Sequence, residues 1–521
     1  MNPGHIGYLV DRNARKYSTR EAISDPRGKW DYSRLREEVL GIVGGLCGLG
    51  LKRKDRVATL MFNRGELIIS YLALFRMGAI LVPLNTRLAD PEWEYILRDS
   101  GARWVITEST FEGRITRIRE KLPQIEEVIS VGAQEKGVIG WEEILSASPL
   151  DEPPEEPGLE DELYILYTSG TTGRPKGAVI THQNFLWNAI NGQITGGFKG
   201  DDIVYYGLPL FHAAAMGGCF ATMLLGGKVV LRPRFDPVEL LELVESERIT
   251  RVPAVPPMLL AILEAPGLEK KDLSSLRAFN TGATTIPQSL KERLHERFPW
   301  VEITDSYGLT EATSYCTVLS GKEFLTKKAC VGRPHAYVEI RVVDERDRDL
   351  PPGEVGEILV RGPNVMKGYW MRLEETEEAL RGGWLHTGDL GRMDEEGYLY
   401  VVDRKKDMII TGGENVYPRE VEEVLNSHPS VMEAAVVGVP DEKWGEKVVA
   451  FVIPRQGMGI DPKELDLHCR HHLASYKCPK EYRVVGDLPR TSTGKILKRV
   501  LRERWETSGR DGGTTLRRAD P

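Results

Sequence analysis

Residues 163–178 read LYILYTSGTTGRPKGA. The opening run, 163–167, is apolar and aromatic, the composition of a buried strand. The chain then changes character: of the twelve residues 167–178, eight are Gly, Ser, Thr or Lys. Beyond them, 182–190 has the apolar spacing of a helix. The stretch therefore reads as strand, glycine-rich turn, helix. In such a turn backbone N–H groups can converge on an anion. Glycine permits the close approach, the hydroxyls of Ser169, Thr171 and Thr172 add donors, and Lys176 adds a positive charge. The same composition also suits a polar connector. The Walker pattern G-x-x-x-x-G-K-[ST] is not met. Nor is the nucleophile elbow G-x-S-x-G, because Tyr167 stands where its first glycine is needed. On these residues alone, phosphate cradle and plain turn both remain open.

The bulk composition narrows the partners. A chain of 521 residues suggests three or four domains, or fewer if one large α/β domain absorbs much of the length. The net charge of −8 argues against a protein that coats nucleic acid or an anionic membrane. Six scattered cysteines form no C-x-x-C pair, which fits a reducing compartment and gives no metal-site signature. The first residues lack the pattern of a signal peptide, and no apolar run is long enough to span a bilayer. The run 213–227 reads instead as a buried helix. These features predict a cytoplasmic protein without integral membrane association, and they are compatible with a homodimer.

Strand-like and helical runs alternate through most of the chain. Strands are expected at 56–62, 79–84, 104–106, 127–131 and 228–231, with a helix at 66–77. This is the pattern of α/β layers with largely parallel sheets. An acidic, proline-rich segment, 149–162, reads as an exposed connector. A hairpin-like stretch at 394–402 leads to the basic run 403–407, DRKKD. After it come a helix at 418–427, strands at 434–439 and 447–453, and a helix at 461–473. The expected division is a large domain 1–403, a hinge 404–406, a small domain 407–506 and a disordered tail 507–521.

Four more stretches decide what the glycine-rich segment is for. They are SYGLTEA at 306–312, HTGDLGR at 386–392, DRKKD followed by GGENVYPREVE at 412–422, and PRTSTGKILKR at 489–499. In this order and at these spacings they closely resemble the adenylate-forming superfamily: acyl-CoA and aryl-CoA ligases, adenylation domains and luciferases. The resemblance covers roughly residues 30–500 and excludes neither free coenzyme A nor a carrier protein as acceptor. It implies a large N-terminal domain of stacked α/β sheets with a distorted β-barrel subdomain, plus a small mobile α+β domain. The implied reaction has two halves. A carboxylate attacks the α-phosphorus of ATP, giving acyl-AMP and pyrophosphate; a thiol then displaces AMP. An anion attacking a polyanion needs charge neutralisation and positioning above all.

The resemblance also implies roles. Thr168, Ser169, Gly170, Thr171, Thr172, Gly173 and Lys176 would hold the β- and γ-phosphates. Thr168 and Glu311 would help hold Mg2+, a hard ion that prefers oxygen ligands. Asp305, Ser306, Tyr307, Gly308 and Thr310 would line the adenine and α-phosphate, with Gly282 and Ala283 beside them. Asp389 would accept both ribose hydroxyls, since a carboxylate offers two acceptors to a diol, and Arg404 would lie near the same ribose or phosphate. Lys495 would bridge the acid and the α-phosphate. Lys406 would be the hinge, and Gly412 and Gly413 would line the coenzyme A channel.

Pro209-Leu-Phe-His212 resembles the segment that closes the acid pocket, with His212, Ala213, Gly217 and Gly282 as its lining. The small residues 213–218 leave room for a bulky or long apolar acid. In the resembled family, adenylation domains for α-amino acids usually place an Asp just after the aromatic of this segment; here Ala213 follows Phe211-His212, so the resemblance implies that an amino acid is not the substrate. A medium- to long-chain fatty acid is the expected substrate, with a benzoate- or coumarate-type acid as the alternative and an acyl-adenylating enzyme that loads a carrier protein as another. The C-terminal RRADP lacks a peroxisomal S-K-L address.

Overall fold

The computed structural model describes residues 5–168, 174–282, 286–441, 443–490, 496–508 and 515–517. The chain divides into two compact units. One comprises Met1–Arg341, Leu359–Thr387 and Glu395–Tyr400; the other comprises Val342–Ile358, Gly388–Asp394 and Val401–Pro521.

The first unit contains two large sheets. The centre of the nine-stranded sheet is parallel and runs through Glu21–Asp25, Lys228–Leu231, Ile203–Tyr206, Arg251–Pro253, Ala278–Gly282 and Glu302–Tyr307. Antiparallel strands close its edges, Gly28–Asp31 on one side and Thr317–Leu319 with Arg333–Pro334 on the other. The eight-stranded sheet runs in the order Gly368–Tyr369, Lys176–Thr181, Glu162–Thr168, Ile80–Pro83, Arg56–Leu60, Trp104–Glu108, Glu127–Val131, Ile139–Gly140. Its strands from Glu162–Thr168 to Ile139–Gly140 are parallel. The expected α/β alternation is therefore present. Ile80–Pro83 is buried at every position, as a strand covered on both faces should be. Helix Gly65–Met77 ends where Gly78 takes φ 65°, a left-handed cap that a Cβ would strain.

One expectation fails in the stretch that opened the sequence reading. The glycine-rich segment joins two antiparallel strands, not a strand and a helix: Glu162–Thr168 pairs with Lys176–Thr181, with Thr168 opposite Lys176. Residues 176–181, KGAVIT, carry the β-branched side chains of a strand, and from Gly177 onward they are buried. The helix, His182–Gly196, begins only after Thr181 has capped it. The connector 149–162 is also less free than its composition suggests. Arg53 makes two-pronged hydrogen bonds to Asp161, and buried Arg76 donates to the carbonyl of Asp151.

The second unit packs helices against a sheet ordered Glu414–Val416, Ile409–Thr411, Gly445–Pro454, Glu481–Val484, Thr515–Arg517, with Val431–Asp441 also paired to Gly445–Pro454. Val421, Leu425, Val436, Val448 and Leu465 are fully buried in its core. Helix Pro418–Asn426 starts on proline, whose fixed φ suits the first helical turn. The tail differs from expectation. Helix Lys498–Ser508 runs past Thr507, and Thr515–Arg517 pairs antiparallel with Glu481–Val484.

Candidate active site

Thr168, Gly282 and Tyr307 each end a strand that has a parallel neighbour. The carboxyl ends of parallel strands are where open α/β sheets take ligands. Around Thr168 the structure gathers a cluster. The Thr168 hydroxyl donates to Glu311 Oε1 at 3.4 Å, across 143 residues of sequence. The Tyr369 hydroxyl donates to the same oxygen at 3.0 Å. Lys176 Nζ stands 5.3 Å from the centre of the Tyr369 ring. All four side chains are half-buried, so they are held yet reachable. Ser169, Gly170, Thr171, Thr172, Gly173, Ala283 and Lys495 lie outside the described residues.

Sequence reasoning missed Tyr369. It arrives through a short strand, Gly368–Tyr369, paired antiparallel to the second strand of the hairpin with Tyr369 opposite Ala178. A G-Y-W triplet carries no signal by itself, since the pairing that gives it meaning spans 191 residues between Ala178 and Tyr369. Asn364 was missed as well. It is fully buried and donates to the carbonyls of Ala312 and Tyr315, while its own carbonyl accepts from Thr313 Oγ1. It thus clamps a bend where Thr313 and Ser314 both take positive φ, an arrangement that needs outside support.

The SYGLTEA stretch is built tightly. A Cβ on Gly308 would sit 1.5 Å from the carbonyl oxygen of Ser314, so only glycine lets the bend close. Tyr307 ends its strand and Thr310 opens the short 3-10 turn that carries Glu311. Ser306 lies opposite Gly282 in the parallel ladder. Asp305 is buried; nearby, burial holds the Lys291 ammonium below its usual pKa, a shift that the Asp305 charge opposes.

In the second unit, Asp389 belongs to the strand Leu385–Met393 and not to a simple turn; the backbone kinks just before it, at Gly388, with φ 67°. Its carboxylate is buried and meets Arg404 Nε at 2.7 Å. Lys406 is exposed in a 3-10 turn, Lys405–Asp407, between two anchored acids. Asp403 accepts from the backbone N–H of Arg419 at 2.8 Å, and Asp407 pairs with Arg502 at 3.1 Å. Gly412 and Gly413 form a two-residue hairpin turn, both with positive φ.

Along the expected acid pocket, His212 precedes helix Ala213–Leu224 and its ring lies 4.5 Å from that of Phe211. Ala213 and Gly217 are buried, whereas Ala214 is exposed. A Cβ on Gly282 would come 2.6 Å from the carbonyl oxygen of Ser306, so glycine is required there too.

The donor set tests the fit to Mg2+. Glu311 supplies a carboxylate and Thr168 a hydroxyl, both oxygens, and 3.4 Å separates them. Among the described residues no group of three or more His, Cys, Asp or Glu could hold a metal by itself. Few protein oxygens plus substrate phosphates and water is the coordination Mg2+ usually takes. The residues fit. Among the described residues, no helix is long and apolar enough to cross a membrane.

The fold and these motifs define an adenylate-forming enzyme. The AMP-binding enzyme family model matches residues 10–370 and the AMP-binding enzyme C-terminal domain matches 420–495; the chain belongs to this family. It is 41% identical to a feruloyl-CoA synthase from Amycolatopsis sp, over 96% of this chain and 99% of that one. It is 38% identical to an indoleacetate–CoA ligase from Aromatoleum aromaticum, over 95% and 97%. Among solved structures, o-succinylbenzoate CoA synthetase from Bacillus subtilis, in complex with its acyl-adenylate intermediate, is 32% identical with a TM-score of 0.86, covering 97% of this chain and 98% of that one. Mycobacterium tuberculosis fatty acyl CoA synthetase is 34% identical with a TM-score of 0.80, covering 97% and 99%. The protein is an acid–thiol ligase.

Proposed function

We propose that this ligase activates an aryl or aryl-alkanoic acid as its acyl-AMP and transfers the acyl group to coenzyme A. The observation that carries the adenylation step is the convergence of Thr168, Lys176, Glu311 and Tyr369. It combines a cation for phosphate oxygens with a carboxylate and hydroxyls for a hard metal ion. Mg2+, when bound, neutralises phosphate charge. Lys176 and the hydroxyl-rich hairpin hold the leaving pyrophosphate. Tyr307 stacks on adenine, Thr310 contacts the α-phosphate, and Asp389 orients the ribose. Lys495 steadies the acid carboxylate against the α-phosphate. The carboxylate oxygen forms the new P–O bond as the bond to pyrophosphate breaks. In the second half the coenzyme A sulfur forms the thioester bond and AMP leaves. Lys406 serves as hinge residue between the halves, and Gly412–Gly413 line the thiol's approach.

The aryl class is supported by the feruloyl and indoleacetate relatives, which have the higher identities quoted above. The medium- to long-chain fatty acid expected from residues 213–218 is the second reading, favoured by the helix Ala213–Leu224, whose side chains are almost all apolar, and by the fatty acyl CoA synthetase likeness. Pyrophosphate release from a panel of carboxylic acids, with and without coenzyme A, tests both. Aryl acids turning over with coenzyme A supports the first reading; exclusive use of alkyl acids replaces it with the second.

A further inference from the structure

One carboxylate ties together the elements around Thr168 and Lys176. Asp99 is half-buried in the last turn of helix Asp90–Ser100. Its Oδ2 accepts from the Tyr167 hydroxyl at 2.7 Å, and its Oδ1 accepts from Arg372 Nη2 at 2.9 Å. Tyr95, one turn earlier on the same helix face, brings its hydroxyl within 3.5 Å of Oδ1 and donates to the carbonyl of Pro175 at 3.0 Å. The rings of Tyr95 and Tyr167 meet edge to face, 6.5 Å between centres at 84°. Each of these contacts falls close to a residue of the candidate active site. Tyr167 precedes Thr168, and Pro175 precedes Lys176. The Arg372 N–H bonds the carbonyl of Tyr369 at 3.2 Å, which closes a turn where Met371 takes φ 54°. In the same turn the Trp370 N–H bonds the Gly177 carbonyl at 2.8 Å, so the turn is tied to the hairpin as well.

Helix stability does not explain the placement of Asp99. A carboxylate in the last turn stands at the negative end of the helix dipole, where a cation would be favoured. Met371 likewise holds a left-handed φ that a non-glycine residue keeps only with support from its surroundings, and the Arg372–Asp99 pair supplies it one residue on. Local preferences overridden in this way are expected where a site is built. We propose that Asp99 is a positioning residue for adenylation: it fixes both ends of the hairpin and the Tyr369 turn relative to one another, so that Thr168, Lys176 and the Tyr369–Glu311 pair meet the phosphates as one unit. This goes beyond the function proposed above and rests on its reading that Thr168 and Lys176 hold the phosphates of ATP. Asp99 acts through Tyr167, Tyr95 and Arg372. Arg372 compensates its charge, so the carboxylate adds little repulsion toward an incoming polyanion. A displacement of about 1 Å in groups that position a reactant can cost about a hundredfold in rate. Thioester formation follows pyrophosphate release and makes no use of the phosphate grip, so Asp99 serves the first half-reaction alone.

The test follows the two half-reactions separately in the full-length enzyme: pyrophosphate release from ATP, and thioester formation from supplied acyl-AMP and coenzyme A. The acid is whichever of 4-hydroxy-3-methoxycinnamic, indole-3-acetic and decanoic acids turns over fastest. Asp99→Ala should lower kcat/KM for ATP by about tenfold to a hundredfold, while the KM for the acid and the thioester half stay within about twofold of wild type. Tyr167→Phe and Arg372→Met, which each remove one contact to Asp99, should cost about tenfold in the same parameter. They serve if Asp99→Ala does not fold. Asp99→Ala combined with Tyr167→Phe should cost no more than Asp99→Ala alone, because both break the same bond. A loss spread equally over both half-reactions, or kcat/KM for ATP within about twofold of wild type in folded Tyr167→Phe and Arg372→Met, overturns the inference and leaves Asp99 a brace of the fold. Thr168→Ala separates the two readings. If it lowers kcat/KM for ATP and the variants around Asp99 do not, only the positioning role falls. If it too leaves ATP kinetics unchanged, the phosphate site falls with it.

Discussion

Arg404 holds its Nε 2.7 Å from Oδ1 of Asp389, and the two differ sharply in access: the Asp389 side chain is 5% exposed and that of Arg404 43%. The carboxylate is thus fixed by a partner that reaches it from the solvent side. A carboxylate offers two acceptor oxygens, and the ion pair at Oδ1 compensates its charge. It follows Gly388, whose φ of 67° is left-handed, a conformation glycine adopts at little cost.

Asp389→Ala should therefore raise the KM for ATP by about tenfold to a hundredfold, the worth of charged hydrogen bonds, while leaving the KM for the acid near its original value. Arg404→Met should have the same direction and a smaller size. Steady-state kinetics with each substrate varied in turn reads this out, and an equal rise in both KM values would remove Asp389 from the ribose.

Glu311 Oε1 receives two hydroxyls, from Thr168 and Tyr369. Glu311→Gln removes the charge but keeps the shape. It should lower the rate of pyrophosphate release by about a hundredfold and shift the Mg2+ dependence to higher concentration, as loss of a charge-stabilising group does. Tyr369→Phe should cost less, about tenfold, because only an orienting hydroxyl is lost. If Glu311→Gln showed the wild-type Mg2+ titration, the assigned metal role would fall.

Much of this could be read from residue order. The alternation of strands and helices in the first unit, the helix at 213–224 and the paired strands near 431–454 follow from local pattern, because apolar period and β-branched content are local properties. The hairpin was misread for a physical reason: Lys176–Thr181 is short and abuts a helix, so its apolar residues merge with the helical pattern. Tyr369 and Asn364 were invisible because their roles arise from contacts across 58 and about 50 residues, and neither a tyrosine nor an asparagine in a loop signals such a contact.

A buried pair of histidines predicts a pH effect on stability. His5 Nδ1 accepts from the backbone N–H of Gly7, so its proton sits on Nε2, which faces His182 Nε2 at 3.1 Å. Both rings are neutral. Burial pushes the His5 pKa down to about 4 and that of His182 well below the usual histidine value. Unfolded, both would titrate near 6.5. Below that pH the unfolded chain binds more protons than the folded one, so stability falls as pH drops from 6.5 toward 4, by up to about 1.4 kcal/mol per pH unit for each histidine. Above 6.5 the pair contributes no slope. Thermal unfolding between pH 4.5 and 7.5 should show this, and His5→Asn should flatten the curve. An unchanged slope in that variant would assign the acid sensitivity elsewhere.

The roles proposed for Lys495 and Lys406 fall in different halves of the reaction. Lys495 lies in a Ser, Thr and Gly-rich run that resembles the adenylating lysine loop. Lys495→Ala should abolish acyl-AMP formation while sparing thioester formation from supplied acyl-AMP. A point charge between two anions matters only when both are present, which is the adenylation step. Lys406 occupies a turn flanked by Asp403, bonded to Arg419, and Asp407, paired with Arg502. Backbone torsion between such anchors is concentrated in few residues. Proline at 406 fixes φ near −65° and also restrains Lys405, so Lys406→Pro should halt the second half and leave pyrophosphate release running. Single-turnover assays of each half-reaction decide. If Lys495→Ala lost both halves equally, its role would be structural. If Lys406→Pro turned over normally, the chain would not bend at this position during catalysis.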